Sequence, residues 1–110
     1  MNKNIKYIDL HTHSTASDGT CSPTEVAVLA KEAGLNIIAL TDHDTMVGVE
    51  ECFKKGLELD LPVIAGVEMS CVYRSKEIHI LGYLLPDSFP PKYLEVSDEI
   101  FEDLNFFAQE

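Results

Sequence analysis

Two histidines one residue apart, His11 and His13, open a set of residues able to hold a metal ion. Only four histidines occur in the 110-residue chain. The other two are His43, within Thr41-Asp42-His43-Asp44, and His79, within Ile78-His79-Ile80-Leu81. Asp18 follows the first pair, in the polar segment 14–21, and Glu68 ends the apolar run Val63 to Val67. Imidazole and carboxylate together suit zinc, manganese or iron. A carboxylate such as Glu68 can bridge two cations through its two oxygens. Two cations a few ångströms apart activate a water and steady the attacking and leaving oxygens of a phosphoester.

Each residue also has an ordinary reading. His-x-His alone is a weak signal, and a histidine in an apolar strand is more often a hydrogen-bonded core residue. Glu68 alone reads as a buried acid paired with a base, and Asp18 as a turn former. Asp42 reads as a loop acid and Asp44 as a helix N-cap. The set gains meaning from placement. His11 and His13 end one strand candidate, His43 follows a second, Glu68 ends the apolar part of a third, and His79 lies within a fourth. Alternate residues of a strand share a face, so His11 and His13 can aim at one spot. In parallel α/β architectures the carboxyl ends of the strands form a common mouth where sites assemble.

The elements that position these residues follow from periodicity. Lys6 to His11 reads as a strand. Ser22-Pro23-Thr24-Glu25 combines an N-cap serine, a proline in the first turn and a glutamate able to close a capping box. Val26, Leu29, Ala30 and Ala33 then fall on one helical face, and Gly34 marks the stop. Asn36 to Thr41 is a second strand. A helix follows from about Met46 to Leu59, weakened by Gly48 and Gly56. Leu61 to Tyr73 is a long strand, Arg74-Ser75-Lys76 a polar turn and Glu77 to Leu84 a further strand. The β-α-β-α-β order predicts a parallel sheet covered by helices.

Composition sets the outer bounds. Apolar residues make up 45% of the chain, enough for a small core and too many for a disordered tail. No apolar run approaches the roughly 20 residues of a membrane span, and the first residues carry no signal-peptide core. Three cysteines, Cys21, Cys52 and Cys71, lack paired spacing; reduced thiols in a cytoplasm fit them better than disulfides. The net charge is -11, with 7 acids and 1 base in residues 86–110 against 12 acids and 7 bases before them. Such a surface disfavours long nucleic acid, but bound cations would reverse the local sign for a small phosphorylated substrate. Pro86, Pro90 and Pro91 mark a break. Beyond it Lys92 to Gln109 reads as an acidic amphipathic helix, packed on its own domain or engaging a partner.

Taken in order, Asp9-Leu10-His11-Thr12-His13-Ser14, Ser17-Asp18-Gly19, Thr41-Asp42-His43-Asp44, Gly66-Val67-Glu68 and Ile78-His79-Ile80-Leu81-Gly82-Tyr83 resemble the motifs of the PHP (polymerase and histidinol phosphatase) family. The likeness is greatest to its small bacterial phosphoesterases acting on nucleotides or nucleoside bisphosphates. It implies a distorted seven-stranded β/α barrel with up to three divalent ions, manganese, zinc or iron. It implies His11 and His13 on a first ion, Asp18 and His43 on a second, Glu68 as the bridge and His79 on a third. Asp42 and Asp44 match positions that orient ligands, and His43 and Asp18 are the candidate catalytic residues. Arg74, the only arginine, reads either as a phosphate contact or as a solvated charge. The family's remaining ligands, a further His and a late Asp-x-His pair, have no counterpart, since no histidine follows His79.

Barrels of this class need roughly 200 residues or more. Residues 1–85 are therefore expected to form the amino-terminal portion of the α/β barrel. Residues 86–110 are expected to continue that domain or to belong to a truncated part of it. The open edge favours self-association or pairing with the rest of a barrel. The function expected from the resemblance is metal-dependent phosphoester hydrolysis. The alternatives are a metal-binding or regulatory module without chemistry, or a polymerase-associated PHP domain.

Overall fold

Local sequence signals start and stop the first helix as expected. In the computed structural model, which describes residues 6–84, α1 spans Pro23–Glu32. The Ser22 side chain accepts from the Glu25 amide, and the Glu25 carboxylate accepts in return from the Ser22 amide. Such caps contribute about 0.5–2 kcal/mol. At the other end Gly34 takes φ 86, the Leu35 amide donates to Ala30 and the Gly34 amide to Lys31. This Schellman ending satisfies the last carbonyls, and the left-handed glycine costs no Cβ clash. The buried face of α1 matches the expected one at Ala30 and Val26 but not at Leu29 and Ala33. Pro23, Ala27 and Ala30 are buried, whereas Leu29 is 51% exposed. The small residues let the helix lie close to the sheet, and the larger Leu29 is left at the rim.

The element order is β1 (Ile8–Thr12), α1, β2 (Ile37–Leu40), α2 (Val49–Glu58), β3 (Val63–Tyr73) and β4 (Lys76–Leu84). The strands form one sheet in the order β1-β2-β3-β4. The first three are parallel, as the alternation of strands and helices predicted. The fourth is antiparallel to β3. Arg74 and Ser75 join β3 to β4 with φ of 50 and 66, a two-residue turn whose handedness matches strand twist. The second helix begins at Val49, three residues later than expected. Gly48 occupies its N-cap without a side-chain hydrogen bond, so Asp44 does not cap it. The acidic segment Lys92 to Gln109 lies outside the described residues.

The core lies between the helices and one face of the sheet. Ile38, Leu40, Val63, Ala65 and Val67 meet Ala27 and Ala30 of α1 and Val49, Cys52 and Phe53 of α2. Ala39, on the opposite face of β2, is also fully buried, as expected of a central parallel strand. On that inner face the strands approach closely. A Cβ at Gly66 would stand 2.7 Å from Thr41 Cγ2 and 3.1 Å from the Gly82 carbonyl oxygen. The sheet curls so far that its two outer strands touch: Tyr83 Oη of β4 donates to the Leu10 carbonyl of β1 at 2.5 Å. The concave face of this half-barrel carries the polar residues.

Candidate metal centre

The curl brings all six candidate ligands together. His11 and His13 leave β1 on its concave side, and their Nε2 atoms stand 2.7 and 2.8 Å from Glu68 Oε1. Glu68 Oε2 faces His79 Nδ1 at 2.8 Å. Asp18 closes the other flank, with Oδ1 2.8 Å from His13 Nδ1 and Oδ2 3.2 Å from His43 Nε2. The His13 and His43 rings are 4.5 Å apart, and those of His43 and His79 5.3 Å. The ligand atoms form three groups: His11, His13 and Glu68; His13, Asp18 and His43; His43, Glu68 and His79. Within each group they lie within 4.8 Å of one another.

Backbone pairing explains how His43 reaches this place. Past the end of β2 the chain stays beside β3. The Glu68 amide donates to the Asp42 carbonyl and the Asp44 amide to the Glu68 carbonyl, which makes His43 the bridge partner of Glu68. Asp44 then turns the chain away at φ 56, and its Oδ1 accepts from the Ser70 amide. Asp42 orients the site from behind. It is 1% exposed, and its carboxylate accepts from the Ser14 amide, the Ser14 hydroxyl and the Ser17 hydroxyl at 2.6–2.8 Å. These bonds tie the Asp18 loop to the end of β2. Gly19 lets that loop lie flat on β1, since a Cβ there would be 2.6 Å from the His13 carbonyl oxygen.

Removing Asp42 therefore leaves the Ser14 amide and the Ser14 and Ser17 hydroxyls without the acceptor they share. Unsatisfied buried donors cost about 1–3 kcal/mol each. Asp42→Ala is expected to lower unfolding free energy by roughly 3 kcal/mol or more. Urea denaturation checks this, and a loss below about 1 kcal/mol would refute the bracing role.

Glu68 is buried, at 5% exposure, and every ion-pair partner it has among the described residues is an imidazole. Desolvation pushes its carboxyl upward. The hydrogen bond from His11 and the charges of His43, His11 and His13 outweigh this and hold its pKa below the ordinary 4.5. Asp18 is likewise held below 3.8: desolvation opposes the shift, while the His13 hydrogen bond and the nearby His43 prevail. His79 is raised above 6.5, first by its hydrogen bond to Glu77.

The donor set fits a cation on chemical grounds. A neutral imidazole has one N–H and one lone pair. His13 has both nitrogens against carboxylate oxygens, and so has His79. Each ring thus needs a second positive centre, a proton or a metal ion, between a nitrogen and an oxygen.

Outside the cluster, Cys21 is half-exposed and free, and Cys52 is buried, its thiol pushed up to about 12 by burial and the charges of Asp42 and Glu51. Arg74 sits on the hairpin turn over the Tyr73 ring, 5.1 Å from its centre. Three residues of the arrangement were not evident from sequence. Ser14 and Ser17 brace Asp42, and Glu77 bonds His79. The signals available were that Ser14 and Ser17 stand within the motifs around His13 and Asp18, with no role attached, and that Glu77 and His79 alternate along one strand.

A curled sheet with a convergent imidazole and carboxylate cluster on its concave face defines the class of β/α-barrel proteins with metal ligands at strand ends. Comparison makes this specific. The chain belongs to the PHP domain family, whose model matches residues 9–102. It is 44% identical over 85 residues to the 5'-3' exoribonuclease of Haemophilus influenzae, covering 77% of this chain and 31% of that protein. It is 40% identical over 75 residues to the 3',5'-nucleoside bisphosphate phosphatase of Chromobacterium violaceum, covering 68% and 26%. A crystal structure described as a metal-dependent phosphoesterase from Bifidobacterium adolescentis superposes with a TM-score of 0.73 at 30% identity, over 89% of this chain and 32% of that one. The chain thus spans between about a quarter and a third of the length of these relatives.

Proposed function

We propose that the chain is the amino-terminal part of a metal-dependent phosphoesterase domain that hydrolyses a phosphate ester of a nucleotide or other small phosphorylated metabolite. The observation that carries this is the Glu68 carboxylate, buried and shared among His11, His13 and His79. His11, His13 and Glu68 would hold one divalent ion, Asp18 and His43 a second, and His79 with Glu68 a third. Manganese, zinc and iron fit this donor set. When bound, the ions supply an activated water and neutralise charge that develops on the phosphoryl oxygens. The chain's own part is to fix those positions. Asp42 anchors the loop that carries Asp18. His43, or a residue outside this chain, would assist the leaving oxygen.

The relatives are a 5'-3' exoribonuclease and a 3',5'-nucleoside bisphosphate phosphatase, and both names describe hydrolysis of phosphate esters of nucleotides. The net charge of -11 favours the smaller substrate, because an acidic surface repels a long phosphate backbone. Domain limits of 1–85 for the barrel portion, with 86–110 as its continuation, belong to the same reading, as does a cytoplasmic setting for the three free cysteines. No helix among the described residues is long and apolar enough to cross a membrane. Ile78, Ile80 and Ile8 are 40–55% exposed on the outer strands, surface that a second copy or the rest of a barrel would cover.

Calorimetric titration with zinc or manganese tests the reading. At least one ion per chain is expected, with affinity falling below about pH 6 as protons compete for imidazole. The double variant His11→Ala, His13→Ala should lose the tightest ion. Equal binding by variant and wild type would remove the basis for the proposal.

A further inference from the structure

The geometry points to Glu77 as a positioning residue that holds the His79 ring so that Nδ1 faces the ion shared with Glu68 and His43. This rests on the cation reading of the cluster and adds a residue outside the six ligands.

Three observations carry it. Glu77 and His79 are two apart on β4 and so share its concave face. Glu77 Oε1 lies 2.7 Å from His79 Nε2, while Nδ1 of the same ring lies 2.8 Å from Glu68 Oε2. The hairpin register is continuous from Ala65↔Leu84 to Tyr73↔Lys76, closed by the tight turn at Arg74 and Ser75. That register sets both residues opposite the site-facing side of β3, with His79 across from Ser70 and Glu77 across from Val72. A slip by one residue would turn both away together.

The chemistry follows from the two ring nitrogens. A carboxylate accepting from Nε2–H fixes the proton there and leaves the Nδ1 lone pair for a cation. Without that acceptor a half-turn of the ring about its bond to Cβ is opposed by one contact fewer, and it carries Nδ1 off the Glu68 oxygen. Glu77 is 69% exposed, so the pair contributes little to folding stability. Its effect lies in which nitrogen is presented. Loss of such partners typically weakens metal binding by about 10–100-fold.

The test uses the 110-residue chain loaded with zinc and labelled with nitrogen-15 at histidine. Long-range proton–nitrogen spectra should show His79 protonated at Nε2 and coordinated through Nδ1. His79→Ala identifies which zinc depends on that ring. Glu77→Ala should weaken that same zinc by about 10–100-fold and give mixed His79 tautomers. Glu77→Gln keeps an acceptor oxygen and should restore the Nε2–H form, a recovery that a merely structural role would not produce. Coordination through Nε2 in the wild type, or unchanged tautomer and affinity in Glu77→Ala, overturns the assignment. If His79→Ala also keeps every zinc, the metal reading of that group fails with it. If His79→Ala loses a zinc and Glu77→Ala does not, the role of Glu77 alone is refuted.

Discussion

Glu68→Gln is expected to strip the chain of most of its metal affinity, by more than about 100-fold, an effect above the usual cost of losing an outer partner. Glu68 belongs to two of the three ligand groups, through one oxygen to His11 and His13 and through the other to His79. The amide keeps the size and loses the charge. It also offers one acceptor oxygen where two are used, and its NH2 would face an imidazole or a cation. The remaining group, His13, Asp18 and His43, keeps a carboxylate and stands as an internal control. Metal counts after dialysis should fall in Glu68→Gln more than in any single histidine variant. A wild-type count in that variant would show that Glu68 is merely a buried acid among histidines.

Parts of this site were legible in the sequence because they depend on local geometry. The alternation of His11 and His13 placed both rings on one strand face, and both reach the same Glu68 oxygen. The cap at Ser22 and the stop at Gly34 fixed α1 to within a residue or two. The helix face was legible at Val26 and Ala30, but spacing also favours Leu29, whereas packing against the sheet took the small Ala27 in its place. The alternation of strands and helices does not fix the direction of β4, whereas a turn as short as Arg74-Ser75 can join only antiparallel strands. His79 therefore does not arrive at a strand end. It enters from the middle of a returning strand, which the rule of carboxyl-end sites does not cover. The contact of His11 with Glu68, 57 residues away, depends on the curl of the whole sheet, which no local pattern encodes.

Tested alone, the 110-residue chain is expected to turn over an aryl phosphate or a nucleoside bisphosphate far more slowly than about one per second, the low end of ordinary enzymes. The reason is the ligand inventory. Three ions with about four positions each need more donors than six side chains provide, even with one position per ion kept open for water or substrate. Glu68 can serve two groups through its two oxygens, but the shared imidazoles deepen the shortfall, because His13 and His43 also each appear in two groups. His13 has one nitrogen toward Glu68 and the other toward Asp18, so two ions would compete for a single ring. Water would fill the remaining positions, and ions held largely by water are poorly fixed. A reacting group displaced by about 1 Å can lose about 100-fold in rate. The concave face is also open: His11 is 51% and Asp18 65% exposed, so bulk water weakens the field that stabilises a developing phosphoryl charge. Assays with manganese, zinc or iron should therefore show cation binding without efficient hydrolysis. Turnover of about one per second or faster, abolished by His11→Ala, would mean that six ligands suffice or that a second copy completes the shell. Sedimentation at the assay concentration separates those two outcomes, since only the second requires a dimer.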